Sequence, residues 1–192
     1  MQGNVGLILL SKKILNAPER RWDGVEDTLH RYLELYDNFN VFLCGNGSLE
    51  DPPDKVSKLV HEYHKFPRYD IQKLATMGLK SALNAACKYS IVVNGPIVSD
   101  DLSFMDEKKL LVRIVVDRTF DLTDKKIQSD FMFGKTKSLL RIWENRPFCR
   151  TMPDEINLYK NFKNLLGEKG IWDEDKLSVK TAEQLKLKRM GW

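Results

Sequence analysis

Apolar and polar positions divide the chain into short blocks with two different periods. Residues Asn4–Ser11 read NVGLILLS, a continuous apolar run closing on a polar residue. Such runs mark strands buried on both faces of a parallel sheet. A polar stretch with Pro18 and Arg20-Arg21 follows. Val25–Tyr36 then sets Val25, Leu29, Tyr32, Leu33 and Tyr36 on one helical face. Asn40–Cys44 is a second short apolar strand, stopped by Gly45-Asn46-Gly47. Strand, helix and strand at this spacing predict a βαβ unit.

Val56–Phe66 is ambiguous: Val56, Leu59, Val60 and Tyr63 have helical spacing, yet a short strand fits too, and Pro67 ends either. Ile71–Cys87 is the clearest helix. Ile71, Leu74, Ala75, Ala82 and Ala86 line one face, and Gly78, Ser81 and Ala85 let it lie close to a sheet. Asp70 stands where an acid caps a helix and complements its dipole. Tyr89–Val98 reads as a third strand interrupted by Asn94-Gly95-Pro96. Leu110–Val116 and Phe131–Phe133 are further strands, and Thr136–Trp143 and Ile156–Leu166 further helices. Residues 172–192 are charged with sparse apolar positions, which suits a peripheral helix or a strap. The alternation is that of an α/β protein.

Composition narrows the class. The 192 residues suit one domain, residues 1–192. Hydrophobic residues at 42% and charged residues at 30% exclude a collagen, a disordered tail and a disulfide scaffold. The net charge of +4 fits an anionic small ligand as well as nucleic acid. No apolar run approaches the roughly 18 residues of a membrane helix, and the first residues lack the cationic start of a secretory signal. Cys44, Cys87 and Cys149 are scattered and odd in number, which points to a reducing, cytoplasmic setting. Asn46-Gly47-Ser48 is therefore read as a turn.

The candidate chemistry lies between these blocks. His61-Glu62-Tyr63-His64 spaces its histidines one residue short of the metalloprotease pattern, and surface histidines are the simpler reading. Gly45-Asn46-Gly47-Ser48 lacks the phosphate-loop patterns. Lys12-Lys13 and Arg20-Arg21 follow the first strand, where ligands of open α/β sheets bind, and could meet a diphosphate there; solvated surface charge is the alternative. Asp100-Asp101 follows an apolar strand. Two such carboxylates can hold Mg²⁺ or Mn²⁺, or they can cap a turn before Leu102. Asp130, before Phe131-Met132-Phe133-Gly134, can serve as a base toward a hydroxyl or as a structural cap.

The order of these pieces resembles a known family. The helix Arg68–Ala82, then KYSIVV and a polar turn, resembles the donor-binding half of GT-A glycosyltransferases. Ile127–Thr136 with Leu139-Leu140-Arg141-Ile142-Trp143 is similar to the SD-x-x-F-G-x-T strand and helix of WavE-type lipopolysaccharide-synthesis proteins. Pro153-Asp154-Glu155 before Tyr159 and Phe162 fits that pattern, and compact relatives occur in some large viruses that glycosylate their own capsids. The likeness spans roughly Asn4 to Leu166.

The resemblance implies a mixed, mostly parallel sheet with helices on both faces. It also implies a nucleoside-diphosphate sugar donor, here a UDP-sugar, a glycan or glycoprotein acceptor, and Mn²⁺ or Mg²⁺. Carried over by position, Leu10 and Ser11 border the nucleoside pocket, Asp70 and Lys73 begin the helix that meets base or ribose, and Asp130 is the base on the acceptor side. The WavE-type Arg-x-Asp is replaced by Asn94-Gly95-Pro96. Either Asp100 and Asp101 supply the metal carboxylates, or Lys12-Lys13, Lys135, Arg146 or Arg150 balance the diphosphate. A sugar-nucleotide or glycan-binding module without turnover is the alternative. A nucleic-acid-binding domain would rest on net charge alone.

Overall fold

The computed structural model describes residues 4–11, 21–46, 51–67, 70–95, 97–99, 102, 105, 111–114, 131–144 and 179–181. In chain order these form β1 (Val5–Ser11), α1 (Arg21–Leu35), β2 (Phe39–Asn46), α2 (Asp54–Ser57), β3 (Glu62–Phe66), α3 (Ile71–Asn84) and β4 (Tyr89–Asn94). They continue with β5 (Ile97–Ser99), β6 (Leu111–Ile114), β7 (Phe131–Lys135), α4 (Thr136–Glu144) and β8 (Val179–Thr181).

Six strands make one sheet in the order β3-β2-β1-β4-β7-β6. β1 pairs in parallel with both β2 and β4, and β2 with β3. β7 runs antiparallel to β4 and to β6. The sheet is thus mixed and mostly parallel. The expected β1-α1-β2 unit is present, and the ambiguous stretch holds both a helical turn, α2, and a strand, β3.

Alternation along β1 builds two cores. Val5, Leu7 and Leu9 join Trp22, Val25, Leu29 and Tyr32 of α1 on one face. Ile8 and Leu10 join Leu74, Ala75, Leu79 and Ala82 of α3, with Leu139 and Trp143 of α4, on the other. Side chains in a strand point alternately to opposite faces, so an apolar residue is needed at every position. Each fully buried Leu or Ile contributes roughly 1.5–3 kcal/mol.

Local chemistry seats α3. The Asp70 carboxylate accepts a hydrogen bond from the Lys73 N–H at 3.0 Å, as the sequence predicts for an N-cap. Gly78 meets β1 and β2 so closely that an added Cβ would lie 2.6 Å from Ile8 Cγ2 and 2.9 Å from Cys44 Sγ. The helix stops at Asn84, so Ala86 is exposed in a left-handed turn at φ 58° rather than on the helical face.

Two other expectations change. The interrupted third strand is two strands in different sheets: after Gly95 the chain leaves the main sheet, and β5 pairs antiparallel with β8. Val179–Thr181 of the C-terminal segment is therefore a strand. The helix expected over Ile156–Leu166 lies outside the described residues.

Candidate nucleotide site at the carboxyl edge of the sheet

β1 is flanked by β2, reached through α1 on one face, and by β4, reached through α3 on the other. The order in which strands are added reverses at β1, with β2 and β3 on one side and β4 on the other. Adjacent connections diverge there, and the crevice beyond the strands' carboxyl ends is where open α/β sheets bind ligands. The edge is defined residue by residue. Leu10 lies opposite both Cys44 and Asn94, Ser11 opposite Gly45, and Asn46 opposite Phe66.

The structure divides the expected donor residues into two groups. Leu10, Ser11 and Asn94 come together at the β1/β4 reversal. The Leu10 side chain is fully buried in the α3-side core, so only its backbone reaches the edge, and its carbonyl accepts the Gly95 N–H at 2.9 Å. Ser11 is buried and Asn94 half-buried. Asp70 and Lys73 stand at the start of α3, beside the end of β3. Strands lie about 4.8 Å apart, which puts this second group about 10 Å along the edge from β1. There the Lys73 ammonium lies 5.0 Å from the centre of the Phe66 ring and 3.9 Å from an Asp70 oxygen.

Gly95, expected from the sequence as part of a turn, lies at this edge. Its φ of 91° lies where side chains are strained, and the space around it is open. The glycine therefore serves the backbone path and not a packing contact. The Asn94-Gly95 pair carried the signal, since this dipeptide marks positive φ.

β7 sorts the other candidates. Lys135 pairs with Tyr89 at the amino end of β4, on the opposite edge from the crevice, and so does not face a diphosphate bound there. The direction of β7 causes this: an antiparallel neighbour brings its start, not its end, to the carboxyl edge. Phe131 lies opposite Val93, so β7 begins beside the crevice, directly after Asp130. Asp130, Asp100, Asp101, Lys12, Lys13, Arg20, Arg146 and Arg150 lie outside the described residues.

The histidines of the HEYH segment have other partners. His64 Nε2 lies 2.8 Å from the Ser81 hydroxyl of α3, and His61 packs edge-on against Phe42. Cys44 and Cys87 are buried and free. Burial pushes the Cys44 thiol far above the usual range. The Gly78 backbone opposes the shift and the Glu62 charge adds to it. Cys87 is raised by burial against an opposing hydrogen bond from Asn40.

No family model matches the chain, and no curated protein matches it by sequence. Solved structures do match. One is a nucleotide-diphospho-sugar transferase from Desulfovibrio desulfuricans G20, with TM-score 0.52 and 8% identity over 84% of this chain and 77% of that one. Another is glucosyl-3-phosphoglycerate synthase from Mycobacterium tuberculosis, solved with Mn²⁺, UDP and glucosyl-3-phosphoglycerate. It gives TM-score 0.60 and 12% identity over 88% of this chain and 68% of that one. The same synthase with Mn²⁺, UDP-glucose and glycerol 3-phosphate gives TM-score 0.56 at 12% identity, over 88% and 69%. The chain has the GT-A-like fold of nucleotide-diphospho-sugar transferases. At identities of 8–12% the likeness to these structures concerns the fold.

Those synthase structures contain Mn²⁺. The described residues of this edge do not make a divalent-cation site. The carboxylates they bring there are Asp70, which caps α3, and Asp51, paired with Lys65. β4 ends on the neutral amide of Asn94, and no group of three His, Cys, Asp or Glu is placed to hold a metal among the described residues. No helix among them is long and apolar enough to cross a membrane.

Proposed function

We propose that the chain is a glycosyltransferase that moves a sugar from a nucleoside-diphosphate donor, a UDP-sugar, to a hydroxyl of a glycan or glycoprotein. The observation that carries this reading is the β1/β4 reversal, with Ser11, Asn94 and Gly95 at the crevice, in a fold shared with nucleotide-diphospho-sugar transferases. The WavE-type and virus-encoded resemblance belongs to this proposal, as does a cytoplasmic setting, supported by free, buried Cys44 and Cys87.

The nucleoside rests against the ends of β1 and β4, and Asp70 and Lys73 meet base or ribose at the start of α3. Asp130 takes the proton of the acceptor hydroxyl. The freed oxygen attacks the anomeric carbon, and the bond to the diphosphate breaks as the nucleotide leaves. Support for Asp130 comes from β7, which begins beside the crevice one residue later. Asp100 and Asp101 are the proposed ligands of Mn²⁺ or Mg²⁺, which when bound would neutralise charge on the diphosphate.

Thermal shifts with UDP, GDP and CMP, each with and without Mn²⁺, test the reading. UDP is expected to raise the melting temperature by mass action. No shift with any nucleotide would sink it. In a transfer assay Asp130→Asn should lower kcat by about 10²–10⁴-fold. The neutral Asn94 favours a second reading, a sugar-nucleotide-binding module without turnover. Nucleotide binding with no transfer to any glycan acceptor would select it.

A further inference from the structure

The edge of the main sheet opposite the crevice gathers three lysines. Lys135 closes β7 opposite Tyr89, which opens β4. The Thr136 N–H, at the start of α4, bonds the Lys88 carbonyl at 3.0 Å and so brings α4 beside β4. Lys137 is the next residue of that helix. All three lysines are exposed, and the Lys88 ammonium lies 5.9 Å from the centre of the Tyr89 ring. Elsewhere the described lysines mostly have acids beside them: Lys55 has Glu26, Lys65 has Asp51, Lys73 has Asp70 and Lys80 has Glu144. Lys88, Lys135 and Lys137 have no acid beside them among the described residues, nor has Lys58 at the end of α2.

Local packing does not account for these cations. A lysine has only donors, so Lys135 cannot cap the N–H groups that open α4. The first turn of α4 carries no acid, and the Thr136 hydroxyl is bound to that of Ser90 at 2.8 Å. Cations at a helix N-terminus oppose its dipole. Lys88 is not needed at the end of α3 either, because the Ser81, Ala82 and Leu83 carbonyls there already accept the N–H groups of Ala85, Cys87 and Ala86. Asp37 lies on the same edge before β2, two strands from β4 and so about 10 Å away, and accepts the Asn38 amide at 2.8 Å. Three ammonium groups and a helix N-terminus thus share one end of the edge, and each favours an anion.

We propose that this amino edge docks on an anionic lipid surface. Lysine suits such a partner. Its ammonium is a hydrated point charge on a flexible stem, without the fork by which arginine grips a single phosphate. Three such charges, spread over two strand ends and a helix start, match a plane of anionic headgroups, and each raises partitioning about fivefold. The sheet separates this edge from the crevice, so a chain docked here keeps the crevice facing the solvent. The inference stands whether or not the crevice binds a nucleotide.

Cosedimentation of the full chain with vesicles tests it. Vesicles of phosphatidylcholine with about one third phosphatidylserine should carry the protein down at low salt, and phosphatidylcholine alone should not. Raising the salt should release it, because the charges are exposed. Lys88→Gln, Lys135→Gln and Lys137→Gln made together should lower the partition coefficient at least about tenfold, and Lys137→Gln alone about fivefold. Lys65→Gln, on the opposite edge, should leave it within about twofold of the unaltered value. The melting temperature of the triple variant should not fall, since Lys135 and Lys137 oppose the α4 dipole. No binding to the charged vesicles would overturn the inference, as would a triple variant that binds like the unaltered protein. A fall in melting temperature together with the lost binding would overturn it too, because the lysines would then serve the fold. So would a loss as large from Lys65→Gln, since net charge and not this edge would then govern binding. Capture by polyglutamate with no binding to vesicles would overturn it in favour of an acidic protein segment.

Discussion

The two faces of the central sheet are packed by opposite means, although one strand supplies both. On the α1 side, β1 meets large rings and branched chains. Tyr32 and Tyr36 pack edge-on against Phe39 at 6.1 and 4.9 Å between ring centres, and Tyr89 stacks on Phe133 at 5.8 Å. On the α3 side large residues such as Phe42 and Trp143 are buried too, but the helix meets the strands most closely through small residues. A Cβ at Gly6 would lie 2.7 Å from Ser90 Oγ and 3.0 Å from Ala82 Cβ, and Gly78 has no more room. Rings leave some freedom in how a helix sits, because they can tilt. A helix seated on glycine has its height fixed by backbone contact. The face that carries Asp70 and Lys73 toward the crevice is thus the face with the least positional freedom.

Enlarging the small face should break this difference most. Gly78→Ala adds a methyl that contacts Ile8 Cγ2 and Cys44 Sγ below 3 Å, and both belong to fully buried residues. Overpacking of this kind costs about 1–3 kcal/mol, after an offset of about 1 kcal/mol from alanine's better helix propensity. Urea denaturation should show the loss. Cys44→Ala made together with Gly78→Ala should recover part of it, so the two changes should not add. Additive losses would mean that the helix simply rides higher on the sheet and that the small face is no more rigid than the other.

The same contrast explains how much could be read from the sequence. The α3 side was legible because its chemistry is local: Asp70 caps, Gly78 and Ser81 are small, and the apolar spacing is helical. The two-period pattern marked β1, β2 and β4 as strands, with α1 between the first two. What could not be read depends on partners distant in sequence. β5 looks like a continuation of β4 until β8 claims it. Lys135 looks like a cation near a site until the antiparallel pairing of β7 with β4 carries it to the far edge. Of the site, the β1/β4 residues and the start of α3 were legible as strand ends and a cap. The division of the expected donor residues along the edge needed the strand order, which no local pattern encodes.

A second difference between the faces is chemical. Both described thiols, Cys44 and Cys87, lie in the α3-side core. Each has its pKa raised above the ordinary thiol value of 9.0, mainly by burial. A raised thiol pKa means that the folded state keeps its proton while the unfolded chain loses it. Stability is therefore fully present below pH 9 and falls as pH rises toward the folded value. The fall is at most about 1.4 kcal/mol per pH unit for Cys44. Urea midpoints measured between pH 8 and pH 10.5 should drop more steeply for the unaltered protein than for Cys44→Ala. Parallel curves would show that the thiol ionises as easily in the folded protein as outside it, and that this core is less closed than the contacts at Gly78 imply.

The smallest expected effect lies where α3 ends. The Cys87 N–H bonds the Ala82 carbonyl at 2.8 Å and the Ala86 N–H bonds the Leu83 carbonyl at 3.0 Å, closing the helix in a Schellman motif. That motif needs a left-handed residue, and here it is Ala86 at φ 58°, where a Cβ costs about 1 kcal/mol or more. Glycine would remove that strain at some entropic cost in the unfolded chain. Ala86→Gly should therefore raise the urea midpoint by the equivalent of about 0.5–1 kcal/mol with an unchanged slope, and Ala86→Val should lower it. Ala86 is exposed and its change touches neither core, so the gain should appear in full beside Gly78→Ala. If the gain shrinks in that double variant, then the seat of α3 at Gly78 and its stop at Ala86 are one coupled adjustment. The rigidity of the small face would then be set partly from the helix end.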